Sequence, residues 1–137
     1  MALIHLVYAS KPFGFDAATL NGILIQARAH NVRDNISGTL ICRADIYIQM
    51  LEGPEEAVDA AFARIVEDDR HVEPKLLLRE PTDDRLFGGW AMRDDPARSW
   101  MWTREELAGG ALDRATRDEI LAIFERLSEE VRGGGAD

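Results

Sequence analysis

Two stretches of the chain are apolar at nearly every position, Leu3-Ile4-His5-Leu6-Val7-Tyr8 and Ile46-Tyr47-Ile48-Gln49-Met50-Leu51, and neither has the three-to-four spacing of a helix. Runs of this kind predict strands covered on both faces, so Leu3 to Ala9 is expected to be a central strand, broken by Lys11-Pro12-Phe13-Gly14. Behind Asp16, a capping residue, Leu20, Ile23, Leu24, Ala27 and Asn31 recur at helical intervals and fall on one inward face, which Asn31 extends. Ser37 to Cys42 and Asp45 to Leu51 predict an antiparallel hairpin around an Arg43-Ala44 turn. Gly53-Pro54-Glu55-Glu56 opens a second helix, with proline at its first position and acids at the positive end of the dipole. It should run to about Asp68, with Val58, Phe62, Ile65 and Val66 as its core stripe. His71 to Glu80 is a fourth strand, Pro81-Thr82-Asp83-Asp84 a turn, and Trp90-Ala91-Met92 a short fifth strand that points Trp90 and Met92 the same way. The order β-α-β-β-α-β plus one strand predicts an α+β fold with a ferredoxin-like core and both helices on one sheet face.

Beyond Asp94-Asp95-Pro96 the pattern turns helical. Thr103 with Glu106, and Thr116 with Glu119, have capping-box spacing, and the second opens a stripe of Ile120, Ile123, Phe124, Leu127 and Val131. The sheet face without helices needs a cover, so these C-terminal helices are expected to cross it, or to pair with the same segment of another subunit. The chain thus divides into a domain over 1–95, a helical extension over 96–132 and a frayed tail over 133–137, where Gly133-Gly134-Gly135 ends order.

Composition narrows the classes. A chain of 137 residues suits one domain with a substantial core. No apolar stretch approaches the roughly 20 residues of a membrane span, and the start runs into a strand without a basic n-region, so a cytoplasmic location without a signal peptide is expected. A formal net charge of −9 argues against nucleic acid and anionic membranes as partners, and serves solubility. The single cysteine, Cys42, lies in a strand and is expected to be a buried, inert thiol. His5, His30 and His71 lack metal-ligand spacing, and His71 is expected to be structural.

Gln49 is the residue that needs a reason. A buried amide without partners costs roughly 1–3 kcal/mol, so Gln49 sits either at a wet edge or against a polar ligand. Alternation groups Gln49 with Tyr47 and Leu51, and Tyr8 with Ile4, Leu6 and Ser10. If both groups face the helices, a slot there presents the Tyr8 hydroxyl and the Asn31 and Gln49 amides, which suit a heterocycle edge carrying carbonyls and ring nitrogens. The alternative is a sheet that holds three internally satisfied polar groups. Arg64 and Asp68, four apart, have the spacing of an exposed ion pair. Trp100-Met101-Trp102 is expected to pack against the terminal helices rather than form an exposed docking patch.

Several segments together carry a resemblance. Leu6-Val7-Tyr8-Ala9-Ser10, Asn31 followed by Ile36-Ser37-Gly38-Thr39-Leu40, Gln49-Met50-Leu51-Glu52-Gly53, Arg64-Ile65 with Asp68-Asp69-Arg70-His71, and Arg85-Leu86-Phe87-Gly88-Gly89-Trp90-Ala91-Met92 occur in this order. The set resembles the BLUF domain, the blue-light flavin sensor of bacteria and algae, over about residues 2–94. The resemblance implies FAD held noncovalently between two helices of a ferredoxin-like core, with FMN or riboflavin not separated from it. It implies that Tyr8 and Gln49 carry the photochemistry. The tyrosine gives an electron and then a proton to the excited flavin, and the glutamine is left rotated or tautomerised in a red-shifted state that decays in darkness. Asn31 is implied at the pyrimidine edge, His30 near the ring, Ile23 and Ala27 as apolar wall, and Arg64 and Asp68 beside the cofactor. Trp90 and Met92 match the family's output strand. The chain departs from the usual pattern at Cys42, at Tyr47 and in the Arg43-Ala44-Asp45 turn. The implied function is a stand-alone photoreceptor without turnover that signals to a separate, unidentified partner protein, with a homo-oligomer also open. Its rival is a non-photoactive ferredoxin-like regulatory module or enzyme that binds a small molecule.

Overall fold

The central strand is β1 (Leu3–Pro12), buried from Ile4 through Ser10. It lies between β3 and β4 in a five-stranded sheet of order β4-β1-β3-β2-β5. In this computed structural model residues 2–14 and 16–133 are described, Gly133 for its backbone alone. The residues form two units, Met1–Pro96 and Ala97–Asp137.

In the first unit α1 (Ala17–Asp34) follows β1, capped by Asp16, whose carboxylate accepts from the Thr19 amide at 2.7 Å. Its stripe is as expected, with Ile23, Leu24 and Asn31 buried and Leu20 and Ala27 packed against the core. Asn35, left-handed at φ 58°, ends it. The hairpin of β2 (Ser37–Arg43) and β3 (Ile46–Pro54) turns one residue later than expected, at Ala44-Asp45, because Arg43 still pairs with Ile46. At Gly38 a Cβ would stand 2.0 Å from the Met50 carbonyl oxygen, so only glycine lets β2 lie this close to β3.

Helix α2 (Glu55–Val66) uses Pro54 as its N-cap rather than its first residue, and stops before Asp68. Val58 and Ala61 are buried, and Phe62 and Ile65 pack beside them. Val66 is 48% exposed, since positions 58, 61, 62 and 65 complete the stripe and 66 lies a further 100° round. Strand β4 (His71–Thr82) extends two residues past the expected end, because its pairing with β1 continues to Leu3 opposite Thr82.

The fifth strand is displaced. It is β5 (Arg93–Pro96), parallel to β2, and Trp90-Ala91-Met92 is bent chain before it. Its acids conceal it in the sequence, yet Asp95 is buried and satisfied by Thr39 Oγ1 (2.6 Å) and the Arg93 guanidinium (2.9 and 3.1 Å). The first four strands are antiparallel, so the core is the ferredoxin-like arrangement with an added parallel strand.

The second unit holds α3 (Arg104–Ala108), α4 (Ala111–Arg114) and α5 (Arg117–Gly133). Both capping boxes form: Glu106 N to Thr103 Oγ1 at 3.1 Å with Thr103 N to Glu106 Oε1 at 2.8 Å, and Glu119 N to Thr116 Oγ1 at 3.2 Å with Thr116 N to Glu119 Oε1 at 3.1 Å. Ile120, Phe124 and Leu127 are buried on α5. Trp100 packs on the same helix, donating to Glu130 Oε1 at 2.7 Å beneath the Arg126 guanidinium. The helix continues through Gly133, one residue into the expected tail, and the rest of that expectation lies outside the described residues. Among the described residues no helix is long and apolar enough to cross a membrane.

Candidate functional site

The sheet register answers the question that parity leaves open. Tyr8 stands opposite Gln49, Leu6 opposite Leu51 and Ser10 opposite Tyr47, so the tyrosine and the glutamine face the same side. That side bears α1 and α2, whose Ile23, Leu24, Val58 and Ala61 join Leu6, Tyr8 and Leu51 in one core cluster.

Between the helices the packing leaves a cleft of about 260 Å³. Ile23, Gln26, Ala27, His30 and Asn31 line it from α1, and Ala61, Arg64 and Ile65 from α2. Gln49 and Leu51 form its floor, and Asp68, Arg70 and His71 close one end. Tyr8 lies behind Gln49, fully buried, and its hydroxyl donates to Gln49 Oε1. The other end of that amide donates from Nε2 to Met92 Sδ at 3.2 Å. Asn31 Nδ2 donates to the Ala91 carbonyl at 2.6 Å, and Arg28 Nε to the Met92 carbonyl at 3.0 Å. A continuous path therefore runs from phenol to amide to thioether, beside a segment whose backbone α1 holds.

Electrostatics fix the protonation of this group. Burial, with smaller contributions from Asp68 and Tyr47, pushes the Tyr8 phenol well above its usual 10, so it remains a neutral donor. His71, with Nδ1 2.8 Å from Ser10 Oγ, is pushed down to about 4, mainly by burial, and is neutral near pH 7. Its ring stands edge-on to Tyr8 at 5.8 Å and to Tyr47 at 5.4 Å. Cys42 donates to Asp94 Oδ1 at 3.3 Å, and burial first, then Asp94, lifts its thiol to about 12, which makes it inert.

The ion pair that the spacing of Arg64 and Asp68 allows does not form. Helix α2 ends at Val66, so the four-residue relation lapses; Arg64 reaches Asp34 of α1 at 3.6 Å, and Asp68 takes Arg70 at 2.6 Å. Arg70 also donates to Gln26 across the cleft mouth and holds the Asp68 carboxyl below its usual range. Ile23, Ala27, His30, Asn31, Gln49, Arg64 and Asp68 thus share one cleft with Tyr8 at its back. Gln26 and Arg70 line the cleft as well; Gln26 lies four residues before His30 on α1, a helical spacing, whereas Arg70 lies in irregular chain and carries no periodic signal. Met92 is buried at Gln49, while the partly exposed Trp90 lies under the Arg93 guanidinium at 4.6 Å and tilted to Phe87.

The profile of the BLUF family, sensors of blue-light using FAD, matches residues 3–93. This chain belongs to the BLUF family. Photoactivated adenylate cyclase subunit alpha-like protein FB of Euglena gracilis is 32% identical over 92 residues, which are 67% of this chain and 9% of that protein. Photoactivated adenylate cyclase subunit beta of the same organism is 30% identical over 95 residues, 11% of its length. The chain therefore spans about a tenth of these curated relatives. Among solved structures, dark-state BlrB, a BLUF protein, superposes with a TM-score of 0.77 at 27% identity, covering 94% of this chain and 97% of that one. Photo-activated BlsA gives 0.73 at 26% identity, covering 90% and 92%. Klebsiella pneumoniae BlrP1 with FMN and cyclic diGMP gives 0.66 at 29% identity, covering 97% and 35%.

The BLUF cleft of this chain fits a flavin ring. Its volume lies just below the roughly 300–1,000 Å³ of small-molecule sites, and Ile23, Ala27, Leu51, Ala61 and Ile65 give it apolar wall beside the buried amides of Asn31 and Gln49. Donation of Asn31 Nδ2 to Ala91 leaves the carbonyl end of that amide for a ring N–H.

Proposed function

We propose that this BLUF chain is a blue-light photoreceptor that holds FAD noncovalently in the cleft between α1 and α2 and converts absorption into a rearranged hydrogen-bond chain. The observation that carries this reading is the Tyr8–Gln49–Met92 path at the cleft floor. Asn31 and Gln49 would present their amides to the polar edge of the ring. Ile23 and Ala27 would wall it, His30 would lie beside it, and Arg64 and Asp68 would stand at the periphery. The flavin supplies light absorption and an electron-accepting ring. Tyr8 is the oxidisable group, and once a phenol loses an electron its proton becomes acidic, with Gln49 Oε1 already in place to receive it.

A glutamine that takes a proton at its oxygen and releases one from its nitrogen toward the reduced ring, or that turns over, exchanges donor for acceptor at both ends. It can no longer face Tyr8 and Met92 as it does in this arrangement, so the shift at Gln49 is felt by Met92 and by the chain leading to Trp90. We assign Met92 and Trp90 to output, toward the helical extension over 96–132 and a separate partner protein. The function is sensing in the cytoplasm, without turnover of a substrate. Support for FAD comes from the family's description, and for a protein effector from relatives named as adenylate cyclases.

A visible absorption spectrum before and after blue illumination is the test. A yellow protein whose flavin band moves to the red and returns in darkness meets the expectation. A protein that takes up no flavin, or whose spectrum is unmoved by light, would instead be a ligand-binding module without photochemistry.

A further inference from the structure

On the sheet face away from the cleft lies a buried carboxylate that this function does not use. Glu52, three residues after Gln49 on β3, therefore points to the opposite side and is fully buried. Its carboxylate is within hydrogen-bond reach of both neighbouring strands, His5 Nε2 on β1 at 2.8 Å and Ser37 Oγ on β2 at 2.9 Å. Its other contacts are the backbone amides of Leu86 and Phe87, the latter at 2.9 Å. Burial raises its affinity for a proton, but the bonds from His5, Leu86, Phe87 and Ser37 outweigh burial and keep it ionised.

The two amides belong to residues 83–92, the stretch that leads from β4 to β5 and contains Met92. Arg85 strengthens the attachment, donating to Ser37 Oγ (2.8 Å), the Glu52 carbonyl (3.0 Å) and the Asn35 carbonyl (2.8 Å). At the far end Gly38 N holds the Trp90 carbonyl at 3.2 Å, and Asn31 and Arg28 hold those of Ala91 and Met92. The segment is pinned at both ends, and at the first the backbone amides are held by a single carboxylate, with Arg85 beside it. A carboxylate suits that place, because two successive N–H groups, one part-buried and one buried, need acceptors and ionised acceptors bind them most strongly. Glutamine would offer one oxygen and turn an NH₂ toward another donor.

We propose that Glu52 is a positioning residue for the photoswitch: by fixing residues 86–87 to β3 it sets the course of residues 88–92 and so holds Met92 Sδ against the Gln49 amide. The claim rests on the proposed photochemistry only for its optical consequences. Its test uses the flavin-loaded full chain and Glu52→Gln, with backbone amide exchange of residues 86–93 in the dark and the rate of return after illumination. Glu52→Gln should bind flavin and keep its red shift, since Tyr8 and Gln49 are untouched. Amides 88–92 should lose protection, and dark recovery should change by about tenfold, the effect of losing one charged anchor. In a Met92→Ala background the same substitution should change recovery by less than about twofold, because the anchor acts through Met92.

Unchanged protection, or an equal rate effect with Met92 absent, would overturn the proposal. If Glu52→Gln does not fold, Glu52→Asp keeps the charge but draws the carboxylate back by one methylene from the amides of residues 86–87. It should give the same loss of protection and the same dependence on Met92, and wild-type behaviour there would refute the idea as well. A wild-type chain without any light-induced shift would refute the photochemical reading instead, while dark exchange would still decide the positioning.

Discussion

Tyr8 offers its proton to Gln49, and removing the hydroxyl separates photochemistry from binding. Tyr8→Phe should stay yellow, because the cleft walls remain, and should lose the reversible red shift. Without its donor, buried Gln49 Oε1 should cost about 1 kcal/mol of dark stability, measurable by urea unfolding. His71 gives a second prediction, of pH dependence. Its folded value of about 4 lies below its ordinary 6.5, so the unfolded chain takes up a proton that the folded one refuses. Stability should therefore be level above about pH 7 and fall by up to about 3 kcal/mol between about pH 6.5 and 4. The depressed carboxylates, Asp68 and Glu52 among them, act lower, below about pH 4.5. Urea midpoints across this window should show the slope in wild type and lose it in His71→Gln. At this scale the sequence is legible where a residue contradicts its surroundings, as Gln49 does in an apolar strand and Asn31 on an apolar stripe. Arg70 and Gln26 contradict nothing, because polar groups at a cleft mouth look like any solvated surface until the fold places them opposite each other.

Among the elements, the β2–β3 pairing sets the distance between the cleft floor and the segment that carries Met92. Gly38→Ala would press a methyl carbon onto the Met50 carbonyl and displace the Gly38 amide from the Trp90 carbonyl, so the sheet must open at that point. It should destabilise the fold by roughly 3 kcal/mol, seen as a lower urea midpoint with an unchanged slope. Thr116→Ala, which removes one reciprocal bond of the α5 capping box, should cost only about 1 kcal/mol, read by the same measurement. The strands and helices of the core are legible because burial writes its period into the chain, both in the continuous runs of β1 and β3 and in the stripes of α1 and α2. Strand β5 breaks that link. Asp94, Asp95 and Pro96 belong to a turn by composition, yet Thr39 and Arg93 satisfy the buried acid, and both lie in positions known only once β2 and β5 are paired. The end of α2 shows the same limit in reverse. Val66 continues the apolar run of Ile65, and only the position of the helix against the sheet turns it to solvent.

For the molecule as a whole, charge bears on which flavin binds. The formal net charge is −9, and the two cations at the cleft mouth are already engaged, Arg64 with Asp34 and Arg70 with Asp68 and Gln26. A phosphate approaching there meets an acidic protein and guanidinium groups whose charge is already paired with carboxylates. Binding must then come from the ring, through the apolar walls of α1 and α2 and the buried amides of Asn31 and Gln49, which serve FAD, FMN and riboflavin alike. The three flavins should bind within about tenfold of one another, a difference of at most about 1.4 kcal/mol. Raising salt from about 50 to about 500 mM shortens the screening length severalfold and should leave each affinity nearly unchanged or slightly improve those of FAD and FMN. Fluorescence-quenching titrations of the apoprotein in darkness would measure this. A riboflavin affinity about a hundredfold weaker than that of FAD, or FAD binding that falls steeply with salt, would place the decisive contacts on the phosphates and refute a ring-driven site.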